Sequence, residues 1–159
     1  MNQREKTLIA LRERYKHLLG DVWTGNRMFG CYEIIRKYYR EEYGRELADF
    51  NARKVYSFTK EAIDEEGGVW VYRKDWGGDV DFSDLEQDDI LLFRLYVTPL
   101  GGGYSAPKGR APNHGGVYLG NGYMLHHPYN GLSDIDDLYD PAFHIYQTAC
   151  VGAIRGSDI

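Results

Sequence analysis

Cysteine is scarce in this chain: only Cys31 and Cys150 occur among 159 residues. Two are too few for a disulfide scaffold, and neither lies in a Cys-x-x-Cys pair, so a zinc site built on cysteine is not expected. No apolar run is long enough to cross a bilayer, which sets aside membrane insertion. Positive charge is also in deficit. The 19 Lys and Arg against 24 Asp and Glu leave a formal net charge of -5, so nucleic acid is not the expected partner. The opening segment, MNQREKTLIALRERYKHLLG, is charged and mixed and lacks a signal-peptide core. Any role outside the producing cell is therefore expected to use another route, such as export with a particle or release by lysis. Internal repeats and low-complexity segments are missing as well.

What is present is ordinary in bulk and unusual in detail. Hydrophobic residues make up 43% and charged residues 27%, the balance of a globular protein. The length suits a single domain over residues 1–159. The composition stands out for its 14 tyrosines and 19 glycines. Tyrosines line binding grooves and also fill cores and sheets.

Helical spacing dominates the first half. Leu8, Ile9, Leu11, Tyr15, Leu18 and Leu19 suit an amphipathic helix from Glu5 to Leu19, stopped by Gly20. Cys31, Ile34, Ile35, Tyr38, Tyr39 and Glu42 fall on one face of a helix over Cys31 to Tyr43, with Gly44 as its stop. A further helix is expected from Ala52 to Glu66, between Asn51 and Gly67. The period then changes. VWVY, ILLFRLY, GGVYL, YMLHH and AFHIYQTACVGAI read as strands, and Gly120-Asn121-Gly122 marks a hairpin. A Gly- and Pro-rich loop from Thr98 to Asn113 interrupts them; loops of that length are usually functional or mobile. Helices first and strands later imply an α+β fold, with the helices packed on a C-terminal antiparallel sheet.

Cys31 follows Gly30 at the start of the clearest helix. Unpaired N–H groups and the partial positive charge there favour thiolate over thiol. The same N–H groups can hold the oxyanion of a tetrahedral intermediate. A plain buried cysteine fits the position too. A nucleophile needs a base, and the base needs an orienting partner. His114 opens one hairpin strand, and His126 and His127 close the other. Side chains alternate faces, so the turn decides the pairing. A two-residue turn at Asn121-Gly122 places His127 on the His114 face. A three-residue loop with Gly122 left-handed places His126 there. An alternative is a metal set of His114, His126 and an acid such as Asp134. Cys150, within an apolar strand, is expected in the core.

Three segments resemble the NlpC-type papain-like cysteine peptidases, and more narrowly the versions encoded in phage tail-assembly modules. LLGDVWTGNRMFGCYEIIRKYYREEYGRELADF is similar to the family's cysteine-bearing helical half. LEQDDILLFRL is similar to the strand that follows it, and NHGGVYLGNGYMLHH to the His-containing hairpin. Together they span about Leu18 to Ser133. The resemblance implies a papain-like NlpC-type fold, with Cys31 as nucleophile, His114 as base and His126 as third polar residue. It thereby selects the three-residue loop and turns His127 to the other face. It also implies cleavage of an amide in peptidoglycan stem peptides by a thiolate–imidazolium pair, with no metal or organic cofactor. The implied setting is a phage tail, with other tail proteins as partners. Such a protein would reside in the virion tail, or in the host cytoplasm during assembly, and act at the host cell wall. A non-catalytic piece of a tail tip that keeps the peptidase fold is the alternative. The chain departs from the family pattern at Gly30, where Asp is usual before the cysteine, and at Tyr32-Glu33 after it. Asp88 stands where Gly is common.

Overall fold

The structure, a computed structural model, describes residues 1–22, 30–47, 68–73, 82–93, 95–97, 103–105, 114–128 and 131–156. It is α+β, with helices laid on an antiparallel sheet. Helix α1 (Gln3–Arg14) starts at Asn2, whose side chain accepts a hydrogen bond from the Glu5 N–H at 2.8 Å. It ends earlier than the expected Leu19. The chain tightens into a 3₁₀ turn (Lys16–Leu18), where Leu18 N bonds Tyr15 O at 2.8 Å and Leu19 N bonds Lys16 O at 3.2 Å. Such i→i+3 bonds commonly satisfy the last carbonyls of a helix. Helix α2 (Gly30–Tyr43) follows the expected bounds within one residue. It buries Cys31, Ile34, Ile35, Tyr38 and Tyr39, the predicted stripe. Gly44 stops it at φ 65°, and its N–H caps Arg40 O. The helix expected over Ala52 to Glu66 lies outside the described residues.

The main sheet has six strands: β1 (Gly68–Arg73), β2 (Ile90–Phe93), β5 (His114–Tyr118), β6 (Tyr123–His126), β7 (Asp134–Asp137) and β8 (Cys150–Gly156). Their order is β1-β8-β2-β5-β6-β7, with every pairing antiparallel. A small second sheet pairs β3 (Leu95–Val97) with β4 (Gly103–Ser105). The segment from Thr98 to Asn113 thus contains a strand, and its other residues lie outside those described.

One expectation fails at the C-terminus. AFHIYQTACVGAI does not form one strand: a 3₁₀ turn (Pro141–Phe143) leads into helix α3 (His144–Ala149), and only then does β8 begin. The Asp140 carboxylate accepts from the Ala142 N–H at 3.0 Å, and Pro141 opens the turn. Both features start helical winding. That winding brings Ile145, Tyr146 and Ala149 onto one apolar cluster, which outweighs the strand propensity of Ile and Tyr.

The sheet carries a different cluster on each face. Leu92, Val117, Leu119, Tyr123, Leu125 and Ile135 pack against α2 and the turn after α1. Leu91, Phe93, Tyr118, Met124 and Cys150 pack with Phe82 and α3 on the other. Six of the described tyrosines serve these cores: Tyr15, Tyr32, Tyr38, Tyr39, Tyr118 and Tyr123 are buried. Asp88 takes φ 79°, a left-handed conformation that ordinarily favours Gly. Three hydroxyls from α2 hold it there: Tyr38 and Tyr43 donate to its carboxylate, and Tyr39 donates to its carbonyl oxygen. Burial first, and then the adjacent Asp88 carboxylate, pushes the Tyr43 hydroxyl up to about 12.

Candidate active site

The hairpin register decides which histidine meets His114. Gly116 pairs His126, Val117 pairs Leu125 and Tyr118 pairs Met124. Leu119 N bonds Tyr123 O at 2.8 Å, so Gly120-Asn121-Gly122 is a three-residue loop. Gly122 has φ 88°, and the Asn121 backbone is left-handed too, at φ 53°. His126 consequently shares a face with His114, and its Nδ1 lies 3.0 Å from His114 Nε2. His127 turns to the opposite side. Its Nε2 meets Gly131 O at 2.9 Å, and its ring lines a cavity of about 330 Å³ with Asp21, Ile34 and Lys37.

His114 and His126 are both buried, and their rings stand nearly perpendicular at 83°. Phe93 and Tyr146 pack around them, with the Tyr146 ring 5.2 Å from that of His126. Burial, and then the neighbouring imidazoles of His126 and His127, holds His114 well below its ordinary value. A group absent from the sequence-based set completes the array. Asp136 Oδ2 lies 2.6 Å from His126 Nε2. Asp134, the acid of the metal alternative, is instead engaged by Arg12 at 3.0 and 3.1 Å. Among the described residues, no group of three or more His, Cys, Asp and Glu side chains could hold a metal ion. Asp136 is hard to single out by sequence, because Asp134 and Asp137 flank it within two residues. Alternation removes only Asp137: Asp136 pairs Met124 and Asp134 pairs His126, so both lie on the His126 face, and the reach of Arg12 to Asp134 separates them.

Neither a family model nor a curated protein matches the chain. Among solved structures it is similar to an NlpC/P60 family protein from Bacillus cereus ATCC 10987, at 26% identity and a TM-score of 0.32. That likeness covers 50% of this chain and 22% of the other, so the chain spans about a fifth of that protein's length.

Cys31 reaches the same strand from the α2 side. It belongs to the cluster that includes Leu92, Val117 and Leu125, whereas His114 contacts Phe93 and Tyr146 on the other face. The sulfur lies by the backbone N–H of Gly115, the residue after His114, and by the N–H groups of Cys31 and Tyr32. Gly115 has no side chain to stand between helix and strand. The thiol is 2% exposed. Burial pushes it up to about 11, although all three N–H groups pull the other way. The expected lowering by the helix start is present but loses to desolvation. Burial thus acts on both groups in the same sense, raising the thiol and lowering the imidazole, which favours their neutral forms. Among the described residues no hydrogen bond joins the sulfur to His114. Cys150 is also buried and outside any disulfide, in the cluster on the His114 face.

Proposed function

We propose that this chain is a papain-like, NlpC-type cysteine hydrolase that cleaves amide bonds in peptidoglycan stem peptides as part of a phage tail. The observation that carries the chemistry is the convergence on β5. The Cys31 sulfur meets the Gly115 N–H, and the preceding residue, His114, is bonded to His126 at 3.0 Å. The peptidoglycan substrate and the tail setting, with other tail proteins as partners, come from the resemblance of the three sequence segments.

In this reading His114 takes the thiol proton as the sulfur attacks the amide carbonyl. The S–C bond forms, and the N–H groups at the start of α2 hold the oxyanion. His114 then delivers its proton to the leaving amine as the C–N bond breaks. Water, deprotonated by His114, hydrolyses the thioester and restores the thiol. His126 steadies the His114 ring throughout. His114 is the first residue of β5, so in this reading the proton passes around the end of the strand.

The test is digestion of purified peptidoglycan by the protein and by Cys31→Ala, with released amino termini identified by mass spectrometry. New termini from the native protein, absent with a folded Cys31→Ala, are the expected result. Equal release by both would overturn the assignment of Cys31. One observation favours a second reading, a non-catalytic tail-tip component that keeps the fold: the thiol is buried and unbonded to His114. That reading predicts no release by either protein, and Cys31 alkylation no faster than that of an ordinary thiol.

A further inference from the structure

We propose that Asp136 is a positioning residue of this site, which sets the tautomer of His126 and, through it, frees the proton-accepting nitrogen of His114. The inference rests on the hydrolase reading given above. A carboxylate only accepts hydrogen bonds. The 2.6 Å contact between Asp136 Oδ2 and His126 Nε2 therefore requires the hydrogen on Nε2. A neutral His126 ring then has a bare Nδ1, which can only accept. The 3.0 Å contact with His114 Nε2 needs one hydrogen, and His114 must supply it. That leaves His114 Nδ1 bare, with its lone pair available for the thiol proton. Two hydrogen bonds in series thus decide which nitrogen of the base is basic.

The surroundings make this arrangement rigid. His126 is completely buried and Asp136 is 8% exposed. The titratable groups that face the His126 ring are His114 from β5, Asp136 from β7 and Tyr146 from α3. Burial, followed by the Asp136 charge, raises the Tyr146 hydroxyl well above its ordinary value, so Tyr146 stays neutral. Of the two strands bordering β6, β5 supplies the base and β7 supplies the carboxylate. Their ring-to-ring and ring-to-carboxylate contacts cross a single strand. Without the carboxylate, His126 can place its hydrogen on Nδ1. His114 Nε2 must then accept, its own hydrogen moves to Nδ1, and the base is lost.

The experiment combines two readouts on the intact chain. The first is ¹⁵N NMR of histidine-labelled protein, which reads the tautomer of each ring. The second is the rate of Cys31 alkylation by iodoacetamide at pH 7, located by mass spectrometry, for the native protein, His114→Ala, Asp136→Asn, Asp136→Ala and Asp136→Glu. The native spectrum should show hydrogen on Nε2 of both His114 and His126. Asp136→Asn and Asp136→Ala should shift His126 toward Nδ1–H and slow alkylation on the order of 10²-fold or more, as loss of an orienting carboxylate does in other acyl-transfer sites. Asp136→Glu should restore part of the rate, which a general loss of packing would not allow. Circular dichroism confirms that each variant is folded. Native alkylation that His114→Ala slows, together with an unchanged rate and tautomer in Asp136→Asn, overturns the role of Asp136 and leaves the hydrolase reading standing. Native alkylation no faster than that of an ordinary thiol, and indifferent to His114→Ala, overturns both.

Discussion

The two faces of the β5–β6 hairpin come from alternate residues of the same short strands, yet they are built on different physics. The face toward α2 carries Val117, Leu119, Tyr123 and Leu125, whose side chains share a cluster with Ile34, Ile35 and Tyr39. Its contacts are numerous, non-directional and mutually replaceable. The other face carries His114 and His126, and a third group, Asp136, joins from β7. There two directional hydrogen bonds join three groups in series, and the loss of one group strands the next. The helix-facing side thus holds the sheet and the sulfur in place, while the far side, in the proposed reading, sets the protonation of the base. Cys31 and His114 arrive from opposite sides of the same strand, one peptide apart.

Substitutions can separate these two kinds of face. The largest effect is expected from His114→Ala. If the proposed hydrolase reading holds, it should reduce peptidoglycan cleavage by at least about 10³-fold, because it removes the proposed base. Thermal unfolding should report a much smaller cost of about 1–3 kcal/mol, from the His126 nitrogen left unpaired. A rate within a few-fold of native would remove the functional meaning of the polar face. Leu125→Ala, the residue before His126 and on the other face, should behave inversely. It should cost roughly 2–5 kcal/mol of stability, measured by denaturant unfolding, while the tautomers of His114 and His126 stay native. Gly116→Ala probes the seam between the faces. Its Cβ would meet Met124 Sδ at 2.6 Å and the Leu125 carbonyl oxygen at 2.9 Å, so β5 and β6 must part. A loss of about 1–3 kcal/mol, with weaker coupling between His114 and His126 in NMR spectra, is expected; native behaviour would show that the strands can shift freely.

Acid is the gentlest probe. Burial lowers the folded-state value of His114 below the ordinary 6.5, so the unfolded chain binds its proton first. Stability contributed by the neutral ring is complete above about pH 6.5 and is lost as pH falls toward the folded value. The slope approaches about 1.4 kcal/mol per pH unit for one proton. With His114 as the proposed base, the same direction places the acid limb of cleavage lower than for an ordinary histidine. Unfolding midpoints and cleavage rates between pH 4 and 8 would check both. An acid limb at 6.5 or above would contradict the buried environment of His114.

Much of this site could be read locally. The spacing of Ile34, Ile35, Tyr38 and Tyr39 places Cys31 at the start of α2, because helical periodicity needs only neighbouring residues. The two histidines on a hairpin were equally legible, but the turn left two registers open until Leu119 was seen opposite Tyr123. Asp88 in place of Gly looked like a departure. Three tyrosine hydroxyls from a helix far away in the chain account for it. The segment from Ala142 to Ala149 misled, since Ile145 and Tyr146 suit strands and helices alike, and their packing partners on the sheet decided the matter.

Sequence by itself determined what short-range periodicity and turn chemistry control: α2 with its leading cysteine, the glycine-bounded hairpin, and strand positions for two histidines. Tertiary structure alone decided three things. It chose Asp136 over Asp134, because the pairing of β6 with β7 and the reach of Arg12 are long-range. It put Cys31 and His114 on opposite sides of β5, because that depends on how α2 lies across the sheet. And it reversed the direction in which the Cys31 thiol moves, because desolvation is set by everything packed around the sulfur and exceeds the pull of the three N–H groups beside it.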